Sequence, residues 1–391
     1  MLRCDELRNR ICCNRHLTTC AIGLILLSLI PQISVLSMVC GAWEVESSAQ
    51  TIPPGEKQFV RIGVLSLFRP TELRLRSAEG SEIVVDLDGR VRSLRGEEQA
   101  VIRASGDRVQ LTIGTVRMRG TSLRAYAPFG PRAADSTYFW LGVPGKLRRR
   151  YTGTLEIRLR GQTLEAIVTM PLETAVASIV QAESAPGAGM EALKAQAVAA
   201  RSFLVARQTP HTDFDFCDTT HCQFLRSPPV SGSPADEATE ATRSLILIWH
   251  DDAAAQDRTL AAMYSRSCGG QTRALREIGV SSSGYPYYAV RCAYCTRHPE
   301  IWQREAKSAV RTEQDRLAFN RIHGWGAIPS LAANTASNHF ASDTQISGRG
   351  IGHGLGLCQL GAADMARHGS DFATILMHYY PNTRITTILA R

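Results

Sequence analysis

The 391-residue chain has no dense Lys/Arg tract with interleaved aromatics; its longest basic run is Arg148, Arg149 and Arg150, two residues after Lys146. A formal charge of +8 and a pI near 9.0 therefore argue weakly for nucleic acid, since diffuse basicity equally suits adsorption to an anionic cell envelope. No internal repeat is present, and no phosphate-cradling Gly-rich loop joins a strand to a helix, which excludes a repeat array and the common nucleotide-binding folds. The most telling shortage is local. From Gln181 to Arg207 (QAESAPGAGMEALKAQAVAARSFLVAR) acids are scarce, and one of the few, Glu183, stands at a Pro/Gly turn.

What surrounds that acid is helical. From Met190 onward Leu193, Ala197, Ala200 and Leu204 recur at helical spacing, so one face packs inward while Lys194, Arg201 and Arg207 stay in water. A second pattern, Pro171 through Ala182, starts with proline at a plausible first helical position and sets Leu172, Ala175, Ile179 and Ala182 on one side. Pro186, Gly187 and Gly189 part the two, so Glu183 falls between two buried helices. Helix-terminal Glu residues usually cap or face solvent, so the pattern alone favours an unremarkable role.

Residues 1–43 read as a signal peptide or membrane anchor. Leu17 to Trp43 is nearly uncharged and long enough to span a bilayer, although Pro31, Gln32 and several Ser interrupt it. Basic residues before the apolar run put the body of the chain outside the cytoplasm. Ser37, Met38 and Val39 make a poor acylation site before Cys40. Five of the eleven cysteines lie in or before this leader, leaving Cys217, Cys222, Cys268, Cys292, Cys295 and Cys358 in the body. Outside the cytoplasm these are expected as disulfides, metal ligands or buried thiols.

Residues 44–57 are polar with two consecutive prolines and suit a linker. From Gln58 short Val/Ile/Leu/Thr runs separated by Gly, Asp and Ser predict strands, among them Phe59–Ser66, Glu82–Leu87, Val109–Ile113 and Thr154–Leu159. Ser231 to Thr242 is a polar stretch, Leu245 to Trp249 is strand-like, and Ala306–Leu317 and Phe372–Tyr380 look helical. The fold expected is α+β: a β-rich region over 58–150 followed by a mixed helix/strand core over 151–391.

Two further groupings carry chemistry. TPHTDFDFCDTTHCQF (Thr209 to Phe224) places His211, Cys217, His221 and Cys222 within a dozen positions, the ligand set of a closed tetrahedral zinc site, while a Cys217–Cys222 disulfide with incidental His fits the spacing equally. GRGIGHGLGLCQLG has glycine at every second position from Gly348 to Gly356. That pattern is incompatible with an ordinary helix and points to close backbone approach to a polymeric ligand or to another strand.

The helix Glu191 to Arg201, EALKAQAVAAR, resembles residue for residue the signature helix of the SpoIID/LytB family of bacterial cell-wall proteins, where a Glu and a Pro-containing turn precede it. Gly348 to Thr383 and MYSRSCGGQTRA (Met263 to Ala274) resemble further blocks of that family. The resemblance implies a peptidoglycan lytic transglycosylase acting on glycan strands stripped of peptide, with Glu183 catalytic and Gln196, Arg201, Tyr264, Ser265, Ser267, His353 and Gln359 as substrate-binding candidates. It also favours zinc on His211, Cys217, His221 and Cys222, and it leaves a non-catalytic, amidase-enhancing wall-binding protein of the LytB type as the competing reading. Implied partners are glycan strands, a wall amidase, and the membrane through the N-terminal segment, with no nucleic acid. Glycoside hydrolases generally need two carboxylates. The signature blocks supply one, which suits a transglycosylase whose muramic acid hydroxyl replaces water. Cys358 stands where the family often has Ser, which argues against a nucleophile. For Cys268, a disulfide with Cys292 or Cys295 is favoured over a second zinc set completed by His298.

Overall fold

Alternation of apolar and polar side chains gives twelve strands between Phe59 and Pro171: β1 (Phe59–Val64), β2 (Glu72–Ser77), β3 (Glu82–Leu87), β4 (Arg90–Arg95), β5 (Gln99–Ser105), β6 (Arg108–Ile113), β7 (Val116–Gly120), β8 (Ser122–Tyr126), β9 (Tyr138–Val143), β10 (Leu147–Thr152), β11 (Thr154–Arg160) and β12 (Thr163–Pro171). The computed structural model describes residues 58–128, 138–206, 211–278, 284–305 and 345–388, all of them within one compact unit, Gln50–Arg391. The expected leader, the 44–57 linker, Arg207 and the helix expected at Ala306–Leu317 lie outside the described residues. Among those described, no helix is long and apolar enough to cross a membrane.

The strands form two sheets whose inner faces share one core. Strands β1, β12, β11, β8, β3 and β4 are neighbours in that order, all antiparallel, in one sheet; the order β10-β9-β2-β5-β6-β7 makes the other. Period-2 alternation turns Leu73, Leu75, Ile83, Val85, Ile102, Leu111, Leu155 and Ile157 inward, where they are buried. The architecture is α+β, with the β-rich part first.

Two helices follow, α1 (Leu172–Glu183) and α2 (Met190–Ala206). Strand β12 runs into α1 without a loop. Pro171, expected inside the first turn, is instead the N-cap residue and the last strand residue, paired with Phe59. After α2 come β13 (Phe216–Cys217), α3 (Pro234–Ala241), β14 (Leu245–Asp251), β15 (Gln256–Thr259), β16 (Tyr264–Ser265), α4 (Ala293–Arg297), β17 (Ile301–Glu305), β18 (Gln345–Arg349), β19 (Leu357–Cys358), α5 (Gln359–Arg367), α6 (Phe372–Tyr379) and β20 (Thr383–Thr387). The polar stretch at Ser231–Thr242 is thus a helix, begun by Pro234 with Asp236 and Glu237 in its first turn.

Helix α2 is buried on more than the one face its spacing predicts. Leu193, Ala197, Ala200 and Leu204 enter the core of the β-sheets, while Ala192, Ala195, Val198 and Ala199 enter a second core with Leu247, Leu357, Ala362, Ile375, Leu376 and Tyr379. The small side chain of Ala lets both cores approach the helix. Arg201, expected in water, is fully buried. Its guanidinium holds Glu173 of α1 at 2.6–3.1 Å and donates to the carbonyls of Thr239 (3.2 Å) and Leu245 (3.1 Å). A buried cation persists only when paired and fully hydrogen-bonded, and this one ties α1, α3 and β14 to α2.

Candidate active site and metal centres

Glu183 closes α1, and its carboxyl is taken from water by what surrounds it. Its Oε1 accepts the Phe224 N–H at 2.6 Å, and the Tyr264 hydroxyl stands beside it. Burial pushes the Glu183 pKa up to about 6, against the opposing pull of Tyr264 and the Phe224 N–H; no neighbouring carboxylate is among the causes. Tyr264 donates to the Gln223 side-chain oxygen, and the Gln196 amide borders the same hydroxyl. Gln359, at the start of α5, donates to the Glu183 carbonyl (2.7 Å) and to Gln196 Oε1 (3.3 Å). Residues 176 positions apart in sequence thus meet around one acid.

The other candidate residues are placed differently. His353 is half-buried; its Nδ1 accepts the Leu355 N–H at 3.0 Å, leaving Nε2–H as the donor toward the Tyr264 backbone. Burial pushes its pKa down to about 4, so at neutral pH it is an uncharged ring with both nitrogens engaged. Ser265 is buried, and its hydroxyl has no hydrogen-bond partner. Ser267 is buried too; it exchanges backbone hydrogen bonds with Ile351 and sets its hydroxyl 3.5 Å from Cys295 Sγ. Arg201, expected to bind substrate, is committed to Glu173 and two carbonyls and holds the fold instead.

The glycine alternation serves close approach to another segment of the chain. At Gly350 (φ +84°) a Cβ would lie 2.6 Å from the Ser267 carbonyl, so only glycine allows the Gly348–Gly356 loop to lie along Ser265–Gly269. Strands β16 and β19 pair in parallel beside it, Tyr264 opposite Leu357 and Ser265 opposite Cys358.

The ligand atoms of His211, Cys217, His221 and Cys222 lie within 4.8 Å of one another, and this set can hold a metal ion. The nearest separations are His211 Nε2–Cys222 Sγ 3.2 Å, Cys217 Sγ–Cys222 Sγ 3.4 Å, Cys222 Sγ–His221 Nδ1 3.5 Å and Cys217 Sγ–His221 Nδ1 3.7 Å. A tetrahedron with metal–ligand distances of about 2.0–2.3 Å has edges of roughly 3.3–3.8 Å, so the donor set fits. Strand β13 adds this loop to the edge of the first sheet, pairing Phe216 and Cys217 with Ile62 and Gly63. Cys222 is followed directly by Gln223 and Phe224, the partners of Tyr264 and Glu183.

Sequence reasoning passes over several of these residues. Gln223 and Phe224 are signalled only by adjacency to Cys222. Arg149, seen as part of a basic run, donates to buried Asp218 (2.9 Å) and to the Leu225 carbonyl (3.2 Å). Arg149 and Arg226 both stand over the Phe224 ring, their guanidinium carbons 5.6 and 5.1 Å from its centre.

Among the described residues, one half-buried acid is framed by a phenol, three side-chain amides and a backbone N–H, with a four-ligand His/Cys set on the adjoining loop, in an α+β protein. Residues 160–249, which include Glu183 and the His/Cys set, match the family model SpoIID, stage II sporulation protein. Among curated proteins the chain is 26% identical over 270 residues to an uncharacterized protein of Brachyspira hyodysenteriae, covering 59% of this chain and 70% of that one. It is 25% identical over 284 residues to the amidase enhancer of Bacillus subtilis (51% and 38%) and 22% identical over 270 residues to that organism's stage II sporulation protein D (57% and 76%). These likenesses support the SpoIID/LytB family.

Proposed function

We propose that the protein is a peptidoglycan lytic transglycosylase working outside the cytoplasm, with Glu183 as its one acid/base. The observation that carries this reading is the carboxyl itself: half-buried, with a pKa of about 6 and, among the described residues, no second acid acting on it. In the protonated form Glu183 donates to the bridging glycosidic oxygen as the bond from the anomeric carbon breaks. As a carboxylate it then takes the proton of the muramic acid hydroxyl that attacks the same carbon, which regenerates the acid and leaves an anhydro sugar end. No water is consumed, so no second carboxylate is needed. The Phe224 N–H stabilises the carboxylate between the two steps, as does the Tyr264 hydroxyl once its one proton turns from Gln223 to Glu183, while Gln359 and Gln196 fix the backbone and the phenol that position it.

Zinc on His211, Cys217, His221 and Cys222 fits this reading as a structural ion. With four protein ligands it presents no open position, and what it supplies is rigidity to the loop carrying Gln223 and Phe224. The substrate tested first is glycan stripped of peptides, the preference the family likeness implies.

The test is digestion of peptide-free glycan in heavy-oxygen water followed by mass spectrometry. Anhydro products free of solvent oxygen are expected, and Glu183→Gln should abolish them. Similarity to an amidase enhancer favours one other reading, a non-catalytic wall-binding protein. Tight glycan binding with no products, and an unchanged stimulation of a wall amidase by Glu183→Gln, would establish it in place of the enzyme.

A further inference from the structure

Cys268, the Cys292–Cys295 turn and Cys358 converge from three separate stretches of chain, and the four sulfurs lie within 4.8 Å of one another. All four are buried, none more than 3% exposed, and all are unbridged. The expected disulfide from Cys268 to Cys292 or Cys295 is therefore not what the fold builds, and His298, set against the Tyr294 ring at the end of α4, is not the fourth member. That place belongs to Cys358. A disulfide needs two sulfurs about 2.05 Å apart. Four converging at a separation such as the 3.5 Å between Cys295 and Cys358 instead match the edges of one tetrahedron about a single ion.

We propose that these four cysteines form a second, tetrathiolate zinc centre. On binding, the four thiols release their protons to solvent and the centre carries a net charge of about −2. The surroundings are built for buried thiolates. The Gly361 N–H donates to Cys358 Sγ (3.4 Å), the Tyr379 hydroxyl to Cys292 Sγ (3.6 Å), and the Ser267 hydroxyl is 3.5 Å from Cys295 Sγ. Gly361 seals the cradle: a Cβ there would stand 2.5 Å from Cys292 Sγ and 2.1 Å from the Tyr379 oxygen. Cys292 and Cys295, spaced C-x2-C, give the two-ligand turn common in structural zinc sites.

The centre has a definite place in the site. Cys358 immediately precedes Gln359, which holds the Glu183 carbonyl, and pairs with Ser265, next to Tyr264. Cys268 closes the same strand-like segment. Zinc on this set clamps Tyr264 and Gln359, as the His211–Cys222 set clamps Gln223 and Phe224, so Glu183 is positioned from both sides. The assignment of the metal is independent of whether Glu183 is catalytic.

The full chain, purified without added metal under reducing conditions, should contain about two zinc per molecule, and Cys217→Ser should keep one. Zinc-edge X-ray absorption on the wild type needs no variant: with both sites filled it should find three sulfurs for each nitrogen, against one for one if only the His211, Cys217, His221 and Cys222 site is filled. Cys295→Ser should lose one zinc, and should return the ratio to one for one if it folds. The proposal is overturned by a folded Cys217→Ser protein without zinc, by a one-to-one ratio in the wild type, by iron in place of zinc, or, in protein purified without reductant, by disulfide-linked peptides joining any two of the four cysteines.

Discussion

Glu183 has its proton held more tightly in the folded protein than in the unfolded chain, at about 6 against 4.5. Burial is the main cause, and the sign of the consequence follows from it. The contribution to stability is full below pH 4.5 and is lost as pH climbs through 6, so at pH 8 the buried carboxylate costs at most about 2 kcal/mol. Glu183→Gln, which does not titrate, should therefore unfold at a higher temperature than wild type at pH 8 and lose that advantage by pH 4.5; calorimetry across this range checks it. Catalysis should show the same group. Because the acid must be protonated in the free enzyme, kcat/KM on glycan should fall as pH rises past about 6. Tyr264→Phe removes a group that holds the carboxyl down and should move that limb to higher pH, a shift a merely structural defect would not produce. At this scale Glu183 is legible because its helix and turn form a recognisable string. Phe224 is not, since a backbone N–H can come from any residue. His353 misleads because a ring with both nitrogens engaged looks, in a string of letters, like a free one.

Helix α2 shows what periodicity can and cannot reveal about an element. The spacing of Leu193, Ala197, Ala200 and Leu204 locates the helix and one of its faces correctly. It does not reveal the second core, because alanine is compatible with both burial and exposure, and it puts Arg201 in water because nothing local announces Glu173. That pair lies 28 residues apart and meets only once α1 has folded back onto α2. Removing one member of a buried pair leaves the other charge uncompensated, so Glu173→Ala should lower unfolding free energy by about 3–5 kcal/mol in urea titrations. Replacing both, Glu173→Leu with Arg201→Met, should recover most of that loss. Recovery of stability in the double variant together with wild-type glycan binding would separate Arg201 from substrate recognition, and a persistent binding defect would restore its role there. The glycine block behaves similarly: its alternation announces a close approach, and only the tertiary pairing tells which partner is approached.

On the scale of the whole molecule, the strands and the α+β class are legible because alternation is a local property, whereas the convergence of Cys358 on Cys268 depends on how β16 and β19 come together. The same long-range assembly makes α2 a shared element, one face in the core of the sheets and the other in the core of the C-terminal elements. A helix with one face buried in each of two cores cannot unfold with only one of them, because the remaining core would expose the face it had lost. Val198, wholly buried in the second core, provides the test. Val198→Ala removes packing from that core alone and should cost about 1–3 kcal/mol. If α2 couples the two cores, hydrogen exchange followed by mass spectrometry should speed up by a similar factor in strands β11 and β12 of the first core and in β14 and α6 of the second. Acceleration confined to β14 and α6 would mean that the sheets hold α2 without the C-terminal elements. The acid at the end of α1 would then owe its environment to the second core only through Tyr264 and Gln359. With coupling intact, any loss of packing around α2 reaches Glu183 from both directions at once.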